Sequence, residues 1–315
     1  MITPTQNVAK PYGYLCRAAL LICTFALVTP IQAERKRPPL QVVASFSILA
    51  DMVRAIGGDS VAVTSLVLPN SDAHVFEPSP LDAQRVAQAQ LIFVHGLHFE
   101  GWIDRLIQAA EYRGPVIVAT RGIPPLMIGG EPDPHAWQSL ANAKHYIDNI
   151  RDALRAACPT RSQEIHHQAA DYMRPIDMLE QAVQSRFAAI PQARRRVITS
   201  HDAFRYYAAA YPLECFAPQG WSTESEPSAA DVARIVRQVK AQRVVALFVD
   251  NIADPRLIER IGCEADVKLG GTLYSDALSE PGNAADTYLK MIEHNTAMLV
   301  ETMQSAQGPL ADQLK

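Results

Sequence analysis

Residues 162–190 read SQEIHHQAADYMRPIDMLEQAVQSRFAAI, and within them Ile165, Ala169, Tyr172, Ile176, Leu179, Val183 and Phe187 recur at intervals of three and four. That period is the apolar stripe of a helix packed along one face. At 1.5 Å per residue it would run roughly 40 Å, long enough to brace two lobes. Pro175 stands in its middle, without an amide proton and crowding the preceding turn, so a kink or a break into two helices is expected there.

The chain on either side alternates in a regular way. Before the stretch, Leu40–Ala44, Val61–Leu68, Leu91–Val94 and Val116–Ala119 are short apolar or β-branched runs without strict alternation, as suits parallel strands buried on both faces. Ile48–Ile56, Leu81–Ala89 and Trp102–Ala110 read as the helices between them. After it, strand-like Arg196–Ser200, Val244–Val249 and Val267–Leu273 are separated by helical Ser228–Lys240 and Asp254–Ile261. This βα alternation, met twice, predicts an α/β protein of two lobes, each with a mainly parallel sheet, joined by the long helix. The expected divisions are an N-terminal lobe over 34–160, the linking helix over 161–191 and a C-terminal lobe over 192–315. The tail after Thr302 is polar and expected to fray.

Residues 1–33 stand apart from this pattern. Lys10 and Arg17 precede an apolar run from Ala18 to Val28, and Ile31-Gln32-Ala33 offers a small residue for cleavage. That is the order of a secretory signal, and the run is too short to span a bilayer as a helix. Cleavage after Ala33 and a periplasmic location are therefore expected. No Cys follows the run closely, which argues against a lipid anchor. Without the signal, 27 Lys and Arg face 33 Asp and Glu, a net charge of −6 that supplies no footprint for nucleic acid. Cys158, Cys215 and Cys263 remain, enough for one disulfide and an odd thiol, with Cys215 and Cys263 the candidate pair. Three small buried thiols are an equally good reading. A monomer is expected.

Four side chains carry metal-ligand chemistry: His74, His135, His201 and Asp276. They are 61, 66 and 75 residues apart, too far for a zinc finger, whose ligands come in tight pairs, but placed to close one site between lobes. Each follows a strand-like run or sits in a Pro-bounded loop, and in open α/β sheets ligands bind beyond the carboxyl ends of strands. Three imidazoles and one carboxylate make a nitrogen-rich shell suited to Zn²⁺, with Mn²⁺ the alternative. Glu77 and Asp202 lie near His74 and His201 in sequence and are expected either to orient a ligand ring or to cap a helix. A zinc-dependent hydrolase is a competing reading, although four protein ligands close the shell that a catalytic ion keeps open.

The motifs around these residues, Asp72-Ala73-His74-Val75-Phe76-Glu77-Pro78, Asp133-Pro134-His135-Ala136-Trp137, Ser200-His201-Asp202-Ala203-Phe204, residues 222–228 and Leu273-Tyr274-Ser275-Asp276, occur in an order that resembles the zinc/manganese branch of the solute-binding proteins serving bacterial ABC importers. The resemblance covers nearly all of the chain after the signal. It implies two α/β lobes that move little on binding, a non-enzymatic role in metal capture, delivery to an inner-membrane permease, and metal ligation by His74, His135, His201 and Asp276. It also implies that His201 bears on metal choice, since manganese-associated relatives commonly have Glu there. Three features depart from the pattern. Only Thr120–Glu131 stands where zinc importers often carry a His-rich loop, Pro175 interrupts the linking helix, and His95 and His98 end a strand where the family requires no His. These last two are read as polar loop residues, with lining of the cleft or metal transfer the other possibility. His145, His166, His167 and His294 fall on helical faces and read as structural.

Overall fold

The computed structural model of the chain describes residues 38–305, apart from 226 and 243, together with residues 1 and 3. The expected signal and its cleavage point, and the polar tail beyond Ser305, lie outside the described residues. Among the described residues no helix is long and apolar enough to cross a membrane.

Two four-stranded sheets organise the chain, and both are parallel throughout. The first contains β1 (Leu40–Ala44), β2 (Val61–Ser65), β3 (Leu91–Val94) and β4 (Val116–Val118), in the order β2-β1-β3-β4. Helices α1 (Ser47–Gly57), α2 (Pro80–Gln88) and α3 (Ile103–Ala109) make its crossovers. The central strands are apolar on both faces, with all of Leu91–Val94 buried, because helices cover the sheet on either side. Helix α2 starts where its sequence dictates: Pro80 opens it, and Ser79 and Asp82 exchange side-chain and backbone hydrogen bonds in a capping box. A short hairpin, β5 (Met127–Ile128) and β6 (Glu131–Pro132), then turns through Gly129 and Gly130, whose positive φ values of 61° and 99° suit a two-residue turn. Helix α4 (Leu140–Ala157) follows, capped by the Ser139 hydroxyl.

The second sheet contains β7 (Arg196–Ile198), β8 (Glu214–Phe216), β9 (Ala246–Asp250) and β10 (Leu269–Leu273), in the order β10-β9-β7-β8, with α6 (Arg205–Ala210), α7 (Ala229–Gln242) and α8 (Arg256–Ala265) between strands. Between the two halves runs α5 (Ser162–Ala188), and α9 (Tyr288–Ser305) closes the described chain.

Helix α5 is one uninterrupted helix of 27 residues that includes Pro175, so of the kink or break expected there the break does not occur. The reason is packing. Ile165, Ala169, Ile176, Val183 and Phe187 are buried along a single stripe against α1, α4 and α9. At its far end Phe187 meets the rings of Tyr207 and Tyr211, with centroids 5.7 and 6.0 Å away, and so reaches the second half of the chain. Burial of this stripe outweighs the hydrogen bond that Pro175 cannot donate. Helix α9 braces both halves too: the Tyr288 amide donates to Asp51 of α1, its hydroxyl donates to the Trp137 carbonyl, and Thr296 pairs with the Tyr207 hydroxyl. One continuous apolar core consequently extends from Val42 to Met303, and a smaller one around Ile198, Ile235, Leu247 and Ile258 lies under α7 and α8.

Replacing Pro175 by Ala should stabilise the protein by about 1–3 kcal/mol, since it restores an amide donor inside a helix that is already continuous, offset in part by a freer unfolded chain. Thermal unfolding should show a melting temperature higher by a few degrees. A fall instead would mean that the ring fits a bend the packing requires.

Candidate metal centre

The carboxyl ends of both sheets face one buried point. His74 lies in the loop after β2, His201 directly after β7 and Asp276 after β10, while His135 enters a short 3-10 turn ahead of α4. One donor atom from each of these four lies within 4.8 Å of the other three, and among the described residues no other such cluster of three or more forms. His135, His201 and Asp276 are 0 % exposed and His74 is 6 % exposed.

Asp276 sits in the middle of the group. Its Oδ2 is 3.3 Å from His74 Nε2 and 3.1 Å from His201 Nε2, and its Oδ1 is 3.6 Å from His135 Nε2. Ligand atoms around a tetrahedral ion with bonds of roughly 2.0–2.2 Å stand roughly 3.4 Å apart, so this spacing fits one small cation. His74 Nε2, His135 Nε2 and Asp276 Oδ1 are buried without a hydrogen-bond partner. Such atoms cost about 1–3 kcal/mol each when left unpaired, and a coordinated cation removes that cost.

Two further carboxylates aim the rings. His135 Nδ1 donates to Asp133 Oδ1 at 2.8 Å and His201 Nδ1 donates to Asp250 Oδ2 at 2.6 Å, which fixes each tautomer with Nε2 turned toward Asp276. The backbone amides of His135 and His201 donate to the same oxygens. Asp72 accepts from the amide of His74 at 2.8 Å in the same way. Of the two roles expected for Glu77 and Asp202, orienting a ligand ring or capping a helix, the structure corrects the first. Glu77 is exposed, and Asp202 turns to Arg205, 3.6 Å away. A signal for Asp133 was present, because an Asp two residues before a His, as in Asp72-Ala73-His74 and Asp133-Pro134-His135, forms a local turn around the His amide. Asp250 left none, since it stands 49 residues from His201 and only sheet pairing joins them.

Charge follows from this arrangement. Asp133, Asp250 and Asp276 are all fully buried, and the Arg205 guanidinium, 3.6 Å from Asp133, offsets one of them. A dication would balance the other two. Burial on its own would push His201 down, but Asp276 and Asp250 outweigh it and hold the imidazole well above its ordinary value. His135 is raised in the same sense by Asp276 and Asp133. Burial would raise Asp276, yet the neighbouring His201 and His135 hold it well below the usual carboxylate range. Protons on the imidazoles thus occupy the electrostatic place that a metal ion would take.

The other histidines separate clearly. His95 is no surface loop residue: it is 0 % exposed, with Nε2 donating to the Pro134 carbonyl at 2.6 Å and its ring edge-on to Phe99 and Trp137. Burial pushes its pKa down to about 3, so it remains neutral and packs behind the His135 loop rather than joining the ligand group. His98 is exposed, 3.5 Å from Glu131. His145, His166 and His167 lie on the exposed faces of α4 and α5, and His294 on α9 reaches the Thr272 carbonyl. Among the described residues Cys158, Cys215 and Cys263 are free, which overturns the candidate pairing of Cys215 with Cys263. Cys215 lies on β8, the strand at one edge of its sheet, whereas Cys263 is exposed on α8. Burial pushes the Cys215 thiol up to about 12.

Known proteins resemble this chain over most of its length. A family model described as ZnuA, zinc-uptake complex component A periplasmic, matches residues 42–302. The chain is 30 % identical over 262 residues to the manganese-binding lipoprotein MntA of Halalkalibacterium halodurans, covering 83 % of this chain and 87 % of that one. It is 30 % identical over 300 residues to the MntA of Bacillus subtilis, covering 91 % and 98 %. Among solved structures it is similar to the periplasmic zinc-binding protein TroA of Treponema pallidum, with TM-score 0.81 and 27 % identity over 84 % of this chain and 99 % of that one. The Mn-bound periplasmic metal binding protein of candidatus Liberibacter asiaticus matches with TM-score 0.77 and 28 % identity over the same shares.

Two results should follow. Metal affinity should rise steadily from about pH 6 to about pH 8, because the raised His201 and His135 hold protons beyond the ordinary value near 6.5 and the metal must expel them. Calorimetry in buffers of different ionisation enthalpy should detect that proton release, and an affinity flat across this range would contradict it. Asp250→Asn should lower metal affinity by about 10–100-fold in a competition titration, through a less basic and less firmly oriented His201.

Proposed function

The chain belongs to the ZnuA family of zinc-uptake components, and on that premise we propose that it captures a divalent transition metal, zinc before manganese, in the periplasm and delivers it to an inner-membrane ABC permease. It is a metal-binding component of an ABC importer and not an enzyme. The ligands proposed are His74, His135, His201 and Asp276. A single observation carries the reading: three imidazole nitrogens and a carboxylate oxygen converge within 4.8 Å of one another, and all four residues are buried.

The chemistry of capture follows from these side chains. Neutral imidazoles supply three borderline-soft donors and Asp276 a hard, charged one, a set that suits Zn²⁺ in four-coordinate geometry. Asp133 and Asp250 raise ring basicity and hold two of the rings in place, so little ordering remains to be done when the metal arrives. Each carboxylate commits one oxygen to its ring, Oδ1 of Asp133 to His135 and Oδ2 of Asp250 to His201. A bound cation would be released only by disturbing this shell, which suits a carrier.

Manganese is the second reading, and one feature favours it. Asp276 turns both oxygens toward the nitrogens, Oδ2 to His74 and His201 and Oδ1 to His135, and a carboxylate binding through both would enlarge the shell for a harder ion. The MntA relatives are also named for manganese.

The proposal extends to the chain's layout, with residues 1–33 as a signal, 34–160 and 192–315 as the two lobes and 161–191 as their link, and a monomer in solution. N-terminal sequencing of the exported protein should begin at Glu34.

Metal choice is tested by competition between Zn²⁺ and Mn²⁺ for the purified protein and for His201→Glu. The wild type should prefer Zn²⁺, and the gap should narrow in the variant, where a second carboxylate replaces a neutral nitrogen. An unchanged Zn/Mn ratio would remove His201 as the determinant of selectivity, and a wild type that binds neither ion would end the metal-capture reading.

A further inference from the structure

The loop that follows β8 brings Trp221 beside His74. His74 is the only one of the four grouped residues with any exposure, at 6 %. The other walls are pinned. Ser275, beside Asp276, accepts hydrogen bonds from Trp137 Nε1 and Gln138 Nε2 at 2.8 Å each, and the Leu278 amide donates to the Ser47 hydroxyl. Behind His135, His95 holds the Pro134 carbonyl.

Residues 217–225 are held differently. At the base, Gln219 bridges to His201 and the Asp202 amide donates to the Gly220 carbonyl. Gln219 also ties the loop to itself through the Thr223 and Ser225 carbonyls. At the tip, Trp221 stands with its ring centroid 6.3 Å from that of His74. Next to it Thr223 Oγ1 donates to Asp72 Oδ2 at 2.6 Å, a bond across 151 positions of sequence that joins the second half of the chain to the first. The other oxygen of Asp72 is the one that accepts from the His74 amide. The loop itself lines a cavity of about 730 Å³, together with Asp202, Arg205, Cys215, Arg234 and Ile235. The cavity gives the loop room to move without breaking either core.

We propose that residues 217–225 form a strap over His74 whose opening admits and releases the metal, and that the Thr223–Asp72 hydrogen bond is its latch. This inference rests on the metal-capture reading. A hydrogen bond to a carboxylate is among the stronger kinds, and a single one between the two halves of the chain can set how often the strap opens. Neither Thr223 nor Asp72 belongs to the ligand group, so the latch biases opening to the same degree before and after loading. Loss of the latch should accordingly quicken entry and exit together.

Stopped-flow mixing measures both steps with Zn²⁺ alone, loading from a metal indicator and release into excess chelator. In Thr223→Val both rates should rise by about tenfold while the ratio of the two stays within about threefold of the wild-type value. Thr223→Ser, which keeps the hydroxyl, should restore wild-type rates. Thr223→Ala, which removes the hydroxyl without adding bulk, should show the same joint rise and covers the case in which Thr223→Val does not fold. Faster release with unchanged loading would mean a damaged ligand shell and would overturn the strap, as would rates indifferent to every variant. A wild-type protein that takes up no Zn²⁺ refutes the metal-capture reading itself, whereas normal wild-type uptake with unaltered variant rates refutes the strap alone.

Discussion

Asp276 has no exposure to water and lies among three imidazoles, two of which approach a single oxygen of its carboxylate. Placing an ion in such surroundings costs several kcal/mol unless opposite charge comes with it. Protons on His201 and His135 supply that charge in one state and a dication supplies it in another. Most of the surrounding architecture can be understood as keeping this carboxylate and these rings together, because no two of the four come from the same stretch of chain. Their convergence depends on two parallel sheets presenting carboxyl ends to a common point, and the sheets keep that relation only while α5 and α9 hold the two halves in one core.

The rigid and the yielding parts of the centre follow from how each loop is anchored. Asp276 belongs by sequence to the second half of the chain, yet its loop is hydrogen-bonded to Trp137, Gln138 and Ser47 of the first. A wholesale separation of the halves would break these buried bonds together with the aromatic contacts of Phe187. Separation of that kind is costly because protein interiors are close-packed and do not deform by degrees. Exchange of a cargo is then better served by a short local element, and the segment over His74 is secured by hydrogen bonds at its base and by one latch at its tip.

The buried acids act on a metal ion and on its competing protons alike. Asp133 and Asp250 add negative charge beside rings that must be neutral to bind, which strengthens the metal and also strengthens its competitor, the proton. With His201 as a ligand, the same pair would make it a better and a more demanding one. Arg205, in reach of Asp133 and Asp202, keeps the acidic group from accumulating charge it could not bear.

Much of this could be read from residue order. Short apolar runs such as Leu40–Ala44 and Leu91–Val94 became strands with the expected limits, since strands buried on both faces need no partner to announce themselves. His74, His135, His201 and Asp276 were legible because each sits in a distinctive motif at a strand end or in a Pro-bounded loop. Other elements were not foreseen. Strand β8 is only three residues long, and α4, α6 and α9 took shape through packing against distant partners. Pro175 was expected to kink or break a helix that tertiary burial keeps continuous, and His95 was expected on a surface that Phe99 and Trp137 cover. Asp250, the Thr223–Asp72 bond and the free state of Cys215 depend on neighbours 49, 151 and more than ten residues away or on different elements altogether. Local pattern records the period of burial and the chemistry of single side chains. Which groups then face one another is settled by sheet order and by the close packing of helices, where the energy belongs to pairs of residues that no short stretch of sequence contains.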